Sequence, residues 1–187
     1  MPPKVKITKE EITKTAIQLV KAKGMQSLNA RAIAKALNCS TQPIFSNFNG
    51  MEELQEATLN CAYELYLDFL KSEAESGKYP HYKAFGMAYI RFAKEEKELF
   101  KLLFMRDREG CELAPSQDFT SSIELIMKNN AISKEKAELL HLEMWSCVHG
   151  IAVMFATSFL SLDWDLISNI LTDVYQGTRA IHLLENK

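Results

Sequence analysis

The sequence predicts an all-α fold, in which a small N-terminal domain of three helices precedes a C-terminal antiparallel helical bundle, with about nine helices in total. Apolar residues recur every three or four positions along most of the chain, whereas no alternating pattern typical of a β-strand stands out. The chain contains only 7 glycines and 5 prolines, so few positions interrupt this periodicity. Hydrophobic residues make up 47% of the 187 residues, a composition typical of a globular protein with a sizeable core.

The first predicted helix begins after Thr8. Glu11 stands three residues later, which is the spacing of a capping box, and Ile7 and Ile12 occupy the positions of a hydrophobic staple. Gly24 predicts the end of the helix, because glycine readily adopts the left-handed conformation found there. The apolar face consists of Ile12, Ala16, Leu19 and Val20.

Two short helices are predicted next. Asn29 can cap the second helix, and Asn38 lies at the following turn, where asparagine tolerates a positive φ. Ser40 is a suitable cap for a third helix over residues 41–48, and Pro43 falls within its first turn, where an N–H group is not needed. Two short helices joined by a tight turn, behind a longer packing helix, predict a helix-turn-helix.

The rest of the chain predicts six further helices, which we assign to a second domain over residues 51–187, after a helix-turn-helix domain over residues 1–50. Gly77 and Pro80 end the first of the six, and residues 107–115 form the longest expected loop. The predicted helices cover residues 51–76, 82–95, 97–106, 116–130, 133–162 and 163–184.

Charge is distributed unevenly between the two predicted domains. Residues 1–50 contain eight Lys or Arg and two Glu, a net charge of +6, whereas the remaining residues carry −8 and the whole chain only −2. A basic head on an acidic body indicates contact with a polyanion at one end of the chain. Charge alone is equally typical of a lysine-rich face exposed to solvent.

The cysteines and the N-terminal residues predict a cytoplasmic protein. The four cysteines have no paired spacing, which predicts neither disulfides nor a metal site and favours a reducing compartment; they are Cys39, Cys61, Cys111 and Cys147. The N-terminus has no apolar region typical of a signal peptide. Residues 144–162 lack Asp, Glu, Lys and Arg, but polar residues interrupt them and basic anchors do not flank them. We interpret this stretch as a buried helix and expect no membrane partner.

About the first fifty residues resemble the DNA-binding domain of the TetR family of bacterial repressors. The matching residues are Ile12, Ala16, Leu19, Gly24, Arg31 to Ala34, Cys39, Ser40, Ile44 to Phe48, Glu53 and Leu54. Farther along, Trp145, His149 and Gly150 are similar to the Trp-x-x-x-His-Gly pattern of one class of TetR-like C-terminal domains. The resemblance implies a homodimer formed through the last two helices and a palindromic double-stranded DNA operator. It also implies repression that is released by a small-molecule effector, with no cofactor and no enzyme activity.

The sequence departs from the family at positions that usually hold phosphates. Phe45 and Asn47 stand where the third helix usually carries Tyr and His, and Met51 stands where the fourth helix usually begins with Lys. Each phosphate contact contributes about one unit to the salt dependence of binding. We therefore expect a shallower salt dependence than in a typical relative.

The helix-turn-helix supplies the candidate DNA contacts. Gln42 is the best candidate for a base contact, because glutamine can form two hydrogen bonds with adenine, whereas Arg31 and Lys14 suit phosphates. The alternative interpretation is that these residues are exposed polar side chains without a role in DNA binding. The predicted DNA-binding residues are Lys14, Arg31, Ser40, Thr41, Gln42, Phe45 and Asn47.

Methionine and aromatic residues are frequent in the second domain, where their default role is core packing. The TetR resemblance implies a ligand cavity between the helices, and no acidic cluster is placed to hold a cation, so we expect an apolar or neutral effector. His149 either contacts this ligand or satisfies a buried polar partner, and the second role is favoured. The predicted ligand-binding residues are Phe92, Phe104, Met105, Trp145 and His149.

Small residues recur on the helix predicted over residues 133–162, which favours the close approach of another helix. Packing within one subunit is the alternative to a dimer contact. The predicted dimer interface consists of Gly150, Met154, Thr157 and Ser161 together with Ile170 and Val174 of the last helix.

Two other classes of protein were considered. An enzyme is disfavoured because the sequence has no phosphate loop, paired zinc motif or nucleophile elbow, and Cys147 and His149 point in different directions on one helix. A helical protein-interaction module with weak or lost DNA binding is the remaining alternative, because residues that usually hold phosphates are replaced.

Overall fold

The computed structural model describes residues 7–106 and 117–184. Over these residues the chain forms nine α-helices and one 3-10 turn, and no strand, which confirms the predicted all-α fold. The helices are α1 (Lys9–Lys23), α2 (Ala30–Ala36), α3 (Gln42–Asn47), α4 (Met51–Glu75), α5 (His81–Glu95), α6 (Lys97–Phe104), α7 (Gln117–Asn130), α8 (Lys134–Ala156) and α9 (Trp164–Leu184). The predicted loop over residues 107–115 lies outside the described residues.

The chain divides into two compact units. The first contains residues 1–68 and 96–106, and the second contains residues 69–95 and 107–187. The functional division after residue 50 stays a prediction.

The core of the first unit is built on α1, which packs against α2, α3 and α6. The predicted capping box is present: the Glu11 backbone N–H donates to Thr8 Oγ1 at 3.2 Å, and the Thr8 backbone N–H donates to Glu11 Oε2 at 2.8 Å. Gly24 follows α1 with a φ of 77°. The fully buried side chains of this unit include Ile12, Val20, Ile33, Ile44, Leu54 and Leu99.

The turn between α2 and α3 follows the prediction, but α3 is shorter than expected. Asn29 Oδ1 accepts from the Ala32 backbone N–H at 2.9 Å, and Asn38 has a φ of 51°. Thr41, not Ser40, occupies the N-cap position, and its side chain makes no capping bond. The helix ends at Asn47, because Phe48 turns into extended backbone as its side chain enters the core.

The second unit is organised around α8, which contacts α5, α7 and α9. Of the helices in the described residues, α8 alone is long and apolar enough to cross a membrane, with a mean hydropathy of 1.4, by length and composition only. The inward face of α8 packs in the core, which explains this apolarity without a bilayer. The core of this unit includes Phe92, Ile126, Leu140, Ala152, Ile167 and Leu171.

The structure corrects the predicted end of α8. We expected a helix to residue 162, but α8 ends at Ala156, and Ser158 adopts a φ of 57°. The Phe159 N–H donates to the Met154 carbonyl and the Ser158 N–H to the Phe155 carbonyl, which is the pair of bonds in a Schellman motif. The apolar run continues past this point, so hydropathy alone gave too long a helix. The prediction for α6 was also too long, since it ends at Phe104 rather than residue 106.

Candidate nucleic-acid interface and ligand site

The α3 helix presents a mixed polar and apolar face to solvent. Ile44 is fully buried and holds the helix on the core of the first unit, whereas Gln42 is exposed and Phe45 is 51% exposed. Gln42 and Phe45 are three residues apart and therefore share one face of the helix. A glutamine amide and an apolar ring on one face have the chemistry to contact adenine and the methyl group of thymine.

The basic residues of the first unit differ in whether a carboxylate neutralises them. Lys14 lies 2.7 Å from Glu10 in an exposed ion pair, and Lys21 is paired with Glu96. Arg31 and Lys35 on α2 are exposed and form no ion pair among the described residues. They are four residues apart and share a face, so they are better suited to phosphates than Lys14. Sequence reasoning overlooked Lys35, although its spacing from Arg31 could have identified it.

The other predicted contacts on the helix-turn-helix are not equivalent. Ser40 is exposed and Thr41 is half-buried, both at the start of α3. The Asn47 amide nitrogen donates to the Pro43 carbonyl at 2.8 Å and to the Ile7 carbonyl at 3.2 Å. These bonds use both amide hydrogens, so in this conformation Asn47 has no amide N–H left to donate to a phosphate.

A carboxylate occupies the start of α4. Glu53 Oε2 accepts from the Asn49 backbone N–H at 2.8 Å and from the Asn49 amide at 2.9 Å, and the same carboxylate pairs with Lys9. The Asn49 backbone N–H, followed by the Lys9 ammonium, holds the pKa of Glu53 below its ordinary value. The carboxylate already takes the Asn49 backbone N–H, so this donor is not available to a phosphate.

The predicted ligand-binding residues are divided between the two units. Phe104 and Met105 belong to the first unit, where Phe104 packs edge-on against Tyr66 with ring centroids 5.1 Å apart. In the second unit, Phe92 is fully buried and packs edge-on against Phe69 at 5.2 Å. These contacts are those of core packing.

Trp145 and His149 are brought together on α8, as predicted from their spacing. Their rings stack with centroids 4.8 Å apart and an angle of 14°, and Trp145 is 41% exposed. His149 Nδ1 lies 2.9 Å from the hydroxyl of Tyr89, which is buried on α5. Burial lowers the pKa of His149, so the neutral ring is favoured.

A second tyrosine–histidine pair repeats this arrangement. His141 Nδ1 lies 2.9 Å from the hydroxyl of Tyr82, again between α8 and α5. Burial lowers the pKa of His141 to about 4, and burial likewise raises the pKa of Tyr82. Two neutral histidines therefore join α8 to α5 through hydrogen bonds that no short sequence pattern revealed.

A cleft of about 170 Å³ lies in the second unit, between the last turns of α4, the following loop, α5 and the start of α9. None of the five predicted ligand-binding residues lines it. Glu73 is buried beside Arg91, with 2.7 Å between Glu73 Oε2 and Arg91 Nη1. The lining residues are Glu73, Lys78, Tyr79, Met87, Arg91 and Trp164.

Exposed apolar side chains cluster on α8 and α9. On α8 they lie three residues apart along one face, and α9 carries one near each of its ends. Gly150 on α8 and Gly177 on α9 each leave space for an added Cβ, with no described atom within 4 Å. The large exposed residues on the two helices are Leu139, Leu142, Trp145, Leu166 and Ile181, at 41–58% exposure.

The structure supports only part of the predicted small-residue stripe. Gly150 and Met154 lie on α8 and are half-buried, and Ile170 and Val174 lie half-buried on α9. The placement of Thr157 and Ser161 on α8 is wrong, because both lie in the exposed connection after Ala156. Leu139 and Leu142 were overlooked because their neighbours also appeared to be core residues.

The first unit contains a helix-turn-helix formed by α2 and α3, and the second unit is a bundle of helices around α8. Residues 82–171 match the family described as "Tetracyclin repressor-like, C-terminal domain". No curated protein matches the chain. The structure resembles a TetR-like transcriptional regulator from Rhodococcus sp. RHA1, with a TM-score of 0.66 and 15% identity over 94% of this chain and 96% of that one.

Two further solved structures have the same fold. A TetR family member from Streptomyces coelicolor A3 gives a TM-score of 0.60 and 17% identity, over 88% of this chain and 96% of that one. A putative transcriptional regulator of the TetR family from Vibrio parahaemolyticus gives a TM-score of 0.62 and 15% identity, over 90% of this chain and 96% of that one. These comparisons agree with the TetR resemblance of the sequence: the family model matches residues 82–171, and the three solved structures share the fold. The Trp-x-x-x-His-Gly class stays a prediction.

Proposed function

We propose that the protein is a ligand-responsive, DNA-binding transcriptional repressor of the cytoplasm, which binds a palindromic operator as a homodimer and is released by a small, largely apolar effector. The observation that carries this proposal is the exposed face of α3, where Gln42 and Phe45 stand together above a buried Ile44. No enzyme activity is part of the proposal.

The chemistry of α3 suggests which bases are read. Gln42 can form two hydrogen bonds with adenine, and Phe45 can cover the methyl group of thymine. Because the two side chains share a face, we propose that they read adjacent A·T pairs in each half-site. Arg31 and Lys35 hold the flanking phosphates, and Ser40 and Thr41 add polar backbone contacts. Lys14 is a secondary contact, since its ammonium is already paired with Glu10.

The exposed apolar side chains on α8 and α9 support a homodimer. Burial of exposed leucine and isoleucine side chains provides the driving force, and open glycines let two helix backbones approach closely. A two-fold axis through this face would pair α8 and α9 with their copies. Two helix-turn-helix units would then face two half-sites in one palindrome.

Binding to the chain's own upstream DNA tests the proposal. Purified protein is titrated into fluorescein-labelled duplexes of that region and of shuffled sequence, and the binding is followed by anisotropy at fixed salt. We expect at least about a thousandfold preference for one palindromic site. Equal affinity for both duplexes would instead favour the helical protein-interaction module without specific DNA binding. The matched control is a Gln42→Ala and Phe45→Ala double variant, which changes only exposed side chains.

A further inference from the structure

The cleft of the second unit holds an arginine whose hydrogen-bonding capacity is only partly used. Arg91 Nη1 faces the buried Glu73 carboxylate at 2.7 Å, and the guanidinium lies 5.3 Å from the centre of the Phe69 ring. Arg91 Nε is buried, and among the described residues it has no hydrogen-bond partner. The Glu95 carboxylate, which is exposed, lies 4.0 Å away, beyond hydrogen-bond distance.

Arg91 Nε is itself closed to solvent and lies near Glu95, which does not line the cleft. A ligand therefore reaches the 32% exposed side chain of Arg91 through Nη2, whose two N–H groups can each donate to a carboxylate. Glu73 occupies the neighbouring position at Nη1. A second carboxylate can therefore bind Arg91 while the Glu73 ion pair stays intact.

The other lining residues supply a second cation and an apolar surface. Lys78 is exposed, and its ammonium lies 5.1 Å from the centre of the Tyr79 ring. A hydrogen bond with Tyr79 is the main cause that raises the pKa of Lys78, so its charge is retained. Met87 is buried, and Trp164 begins α9. The lining residues thus include two cations and one carboxylate, beside apolar side chains.

The volume of the cleft limits the size of its ligand. At about 170 Å³ it is close to an engineered cavity of about 150 Å³ that binds benzene. A single ring with one short acidic group is therefore the largest ligand expected to fit well.

We propose that this cleft binds a small carboxylate bearing one apolar ring, with the carboxylate on Arg91 and Lys78 and the ring against Met87 and Trp164. This inference rests on the proposed function in one respect, since it names the effector class of the repressor. It adds an acidic group to the apolar effector expected from the sequence, and it places the site away from Trp145 and His149.

Calorimetric titration of the full chain with benzoate tests the binding, with benzyl alcohol as a neutral ligand of similar shape. We expect saturable binding of one benzoate per chain and at least about tenfold weaker binding of the alcohol, because charge-assisted hydrogen bonds are lost. Equal binding of the two compounds, or no saturable binding of benzoate, would overturn the proposal.

Two substitutions locate the site. Arg91→Lys keeps a positive charge for Glu73 but removes the second terminal nitrogen of the guanidinium, and Lys78→Gln removes an exposed charge; each should weaken benzoate binding about tenfold. Arg179→Lys is the matched control, because Arg179 donates to Asn130 in the same unit and does not line the cleft. Unchanged affinity in Lys78→Gln and in a folded Arg91→Lys would overturn the proposal. If Arg91→Lys fails to fold, the Lys78 variant decides alone.

The regulatory role is measured separately, by anisotropy of operator DNA with and without benzoate. Binding in the calorimeter together with DNA release supports both the site and its role. Binding without release retains the site and overturns the effector assignment. Failure to bind any operator contradicts the proposed repressor, while the calorimetric result on the cleft still stands.

Discussion

The Tyr89 hydroxyl lies 2.9 Å from Nδ1 of His149, and the indole ring of Trp145 stacks on the same imidazole. One histidine is thereby joined to α5 through a hydrogen bond and to its own helix through a ring contact. Since Tyr89 is buried, this bond replaces hydration that its hydroxyl loses on folding. The geometry favours a structural role for His149 over direct contact with a ligand.

His149→Phe should destabilise the fold by about 1 kcal/mol, because the buried Tyr89 hydroxyl loses its bond to the imidazole while ring packing is largely kept. Urea unfolding followed by circular dichroism measures the change. Tyr89→Phe and the double variant complete a mutant cycle, in which the second substitution should cost little once the first is present. Lost effector response with unchanged stability would contradict the structural role.

His141 should make the stability depend on pH below neutrality. Burial lowers its pKa to about 4 from the ordinary 6.5, so the unfolded chain takes up the proton first as the pH falls. Stability should therefore be complete above pH 6.5 and be lost between pH 6.5 and 4, with a slope of up to about 1.4 kcal/mol per pH unit.

Unfolding of the His141→Asn variant at a series of pH values isolates this contribution. Asparagine can still offer an acceptor to Tyr82 but does not titrate. The variant should show a shallower slope than the natural sequence, because it removes the titrating imidazole. An identical slope in His141→Asn would contradict the prediction.

Much of the fold could be predicted because local chemistry determines it. Thr8 with Glu11, Asn29 and Asn38 each fix a helix end through neighbouring backbone, and all three were correctly identified. The end of α8 was not, because Ser158 adopts a positive φ that serine rarely takes. The local sequence therefore contains no signal that the apolar helix ends before residue 162.

The sites were harder to predict because they depend on contacts between distant parts of the chain. Gln42 and Phe45 lie within one turn of a helix, so the sequence alone could propose both as DNA contacts, and that role stays a prediction. The partners in the cleft, Glu73, Arg91 and Trp164, come from three helices and share no short pattern. The sequence also does not show which lysines are neutralised. The ammonium of Lys14 is paired with Glu10, and only the structure reveals this ion pair.

Gln42→Ala should relax specificity at one base position in each half-site, by about 1–3 kcal/mol of discrimination. Competition between operator variants, measured by anisotropy, gives this value for each base. Ser46→Ala is a control on the same short helix, since the Ser46 hydroxyl bonds the Gln42 carbonyl within α3. Uniform weakening across all variants would make Gln42 a backbone contact.

Phe45→Ala should weaken preference for thymine at a neighbouring position, because the exposed ring loses its contact with the methyl group. Replacing that thymine by uracil, which lacks the methyl, should weaken binding of the natural protein but leave the variant unaffected. An equal response of both proteins to uracil would show that the ring does not contact this methyl group.

Operator binding should depend only weakly on salt. Phe45 and Met51 replace polar residues, Asn47 is bonded within the protein, and Glu53 takes the Asn49 backbone N–H. Arg31→Ala and Lys35→Ala should each reduce the slope of log K against log salt by about one unit. Lys14→Ala, which removes a paired lysine, should reduce it by less. A steep slope that neither α2 variant changes would contradict this assignment.

Gly150→Leu should dissociate the proposed dimer, because its side chain would occupy the space through which two α8 helices approach. In the single chain an added Cβ meets no described atom within 4 Å, so Gly150→Ala should fold normally and gain up to about 1 kcal/mol of helix stability. Sedimentation equilibrium should give a monomer for the leucine variant, with unchanged helical content by circular dichroism. Gly177→Leu tests the same face from α9 and should act in the same direction. A dimer that withstands both leucine substitutions would place the interface elsewhere, even if the two helices keep their exposed apolar side chains.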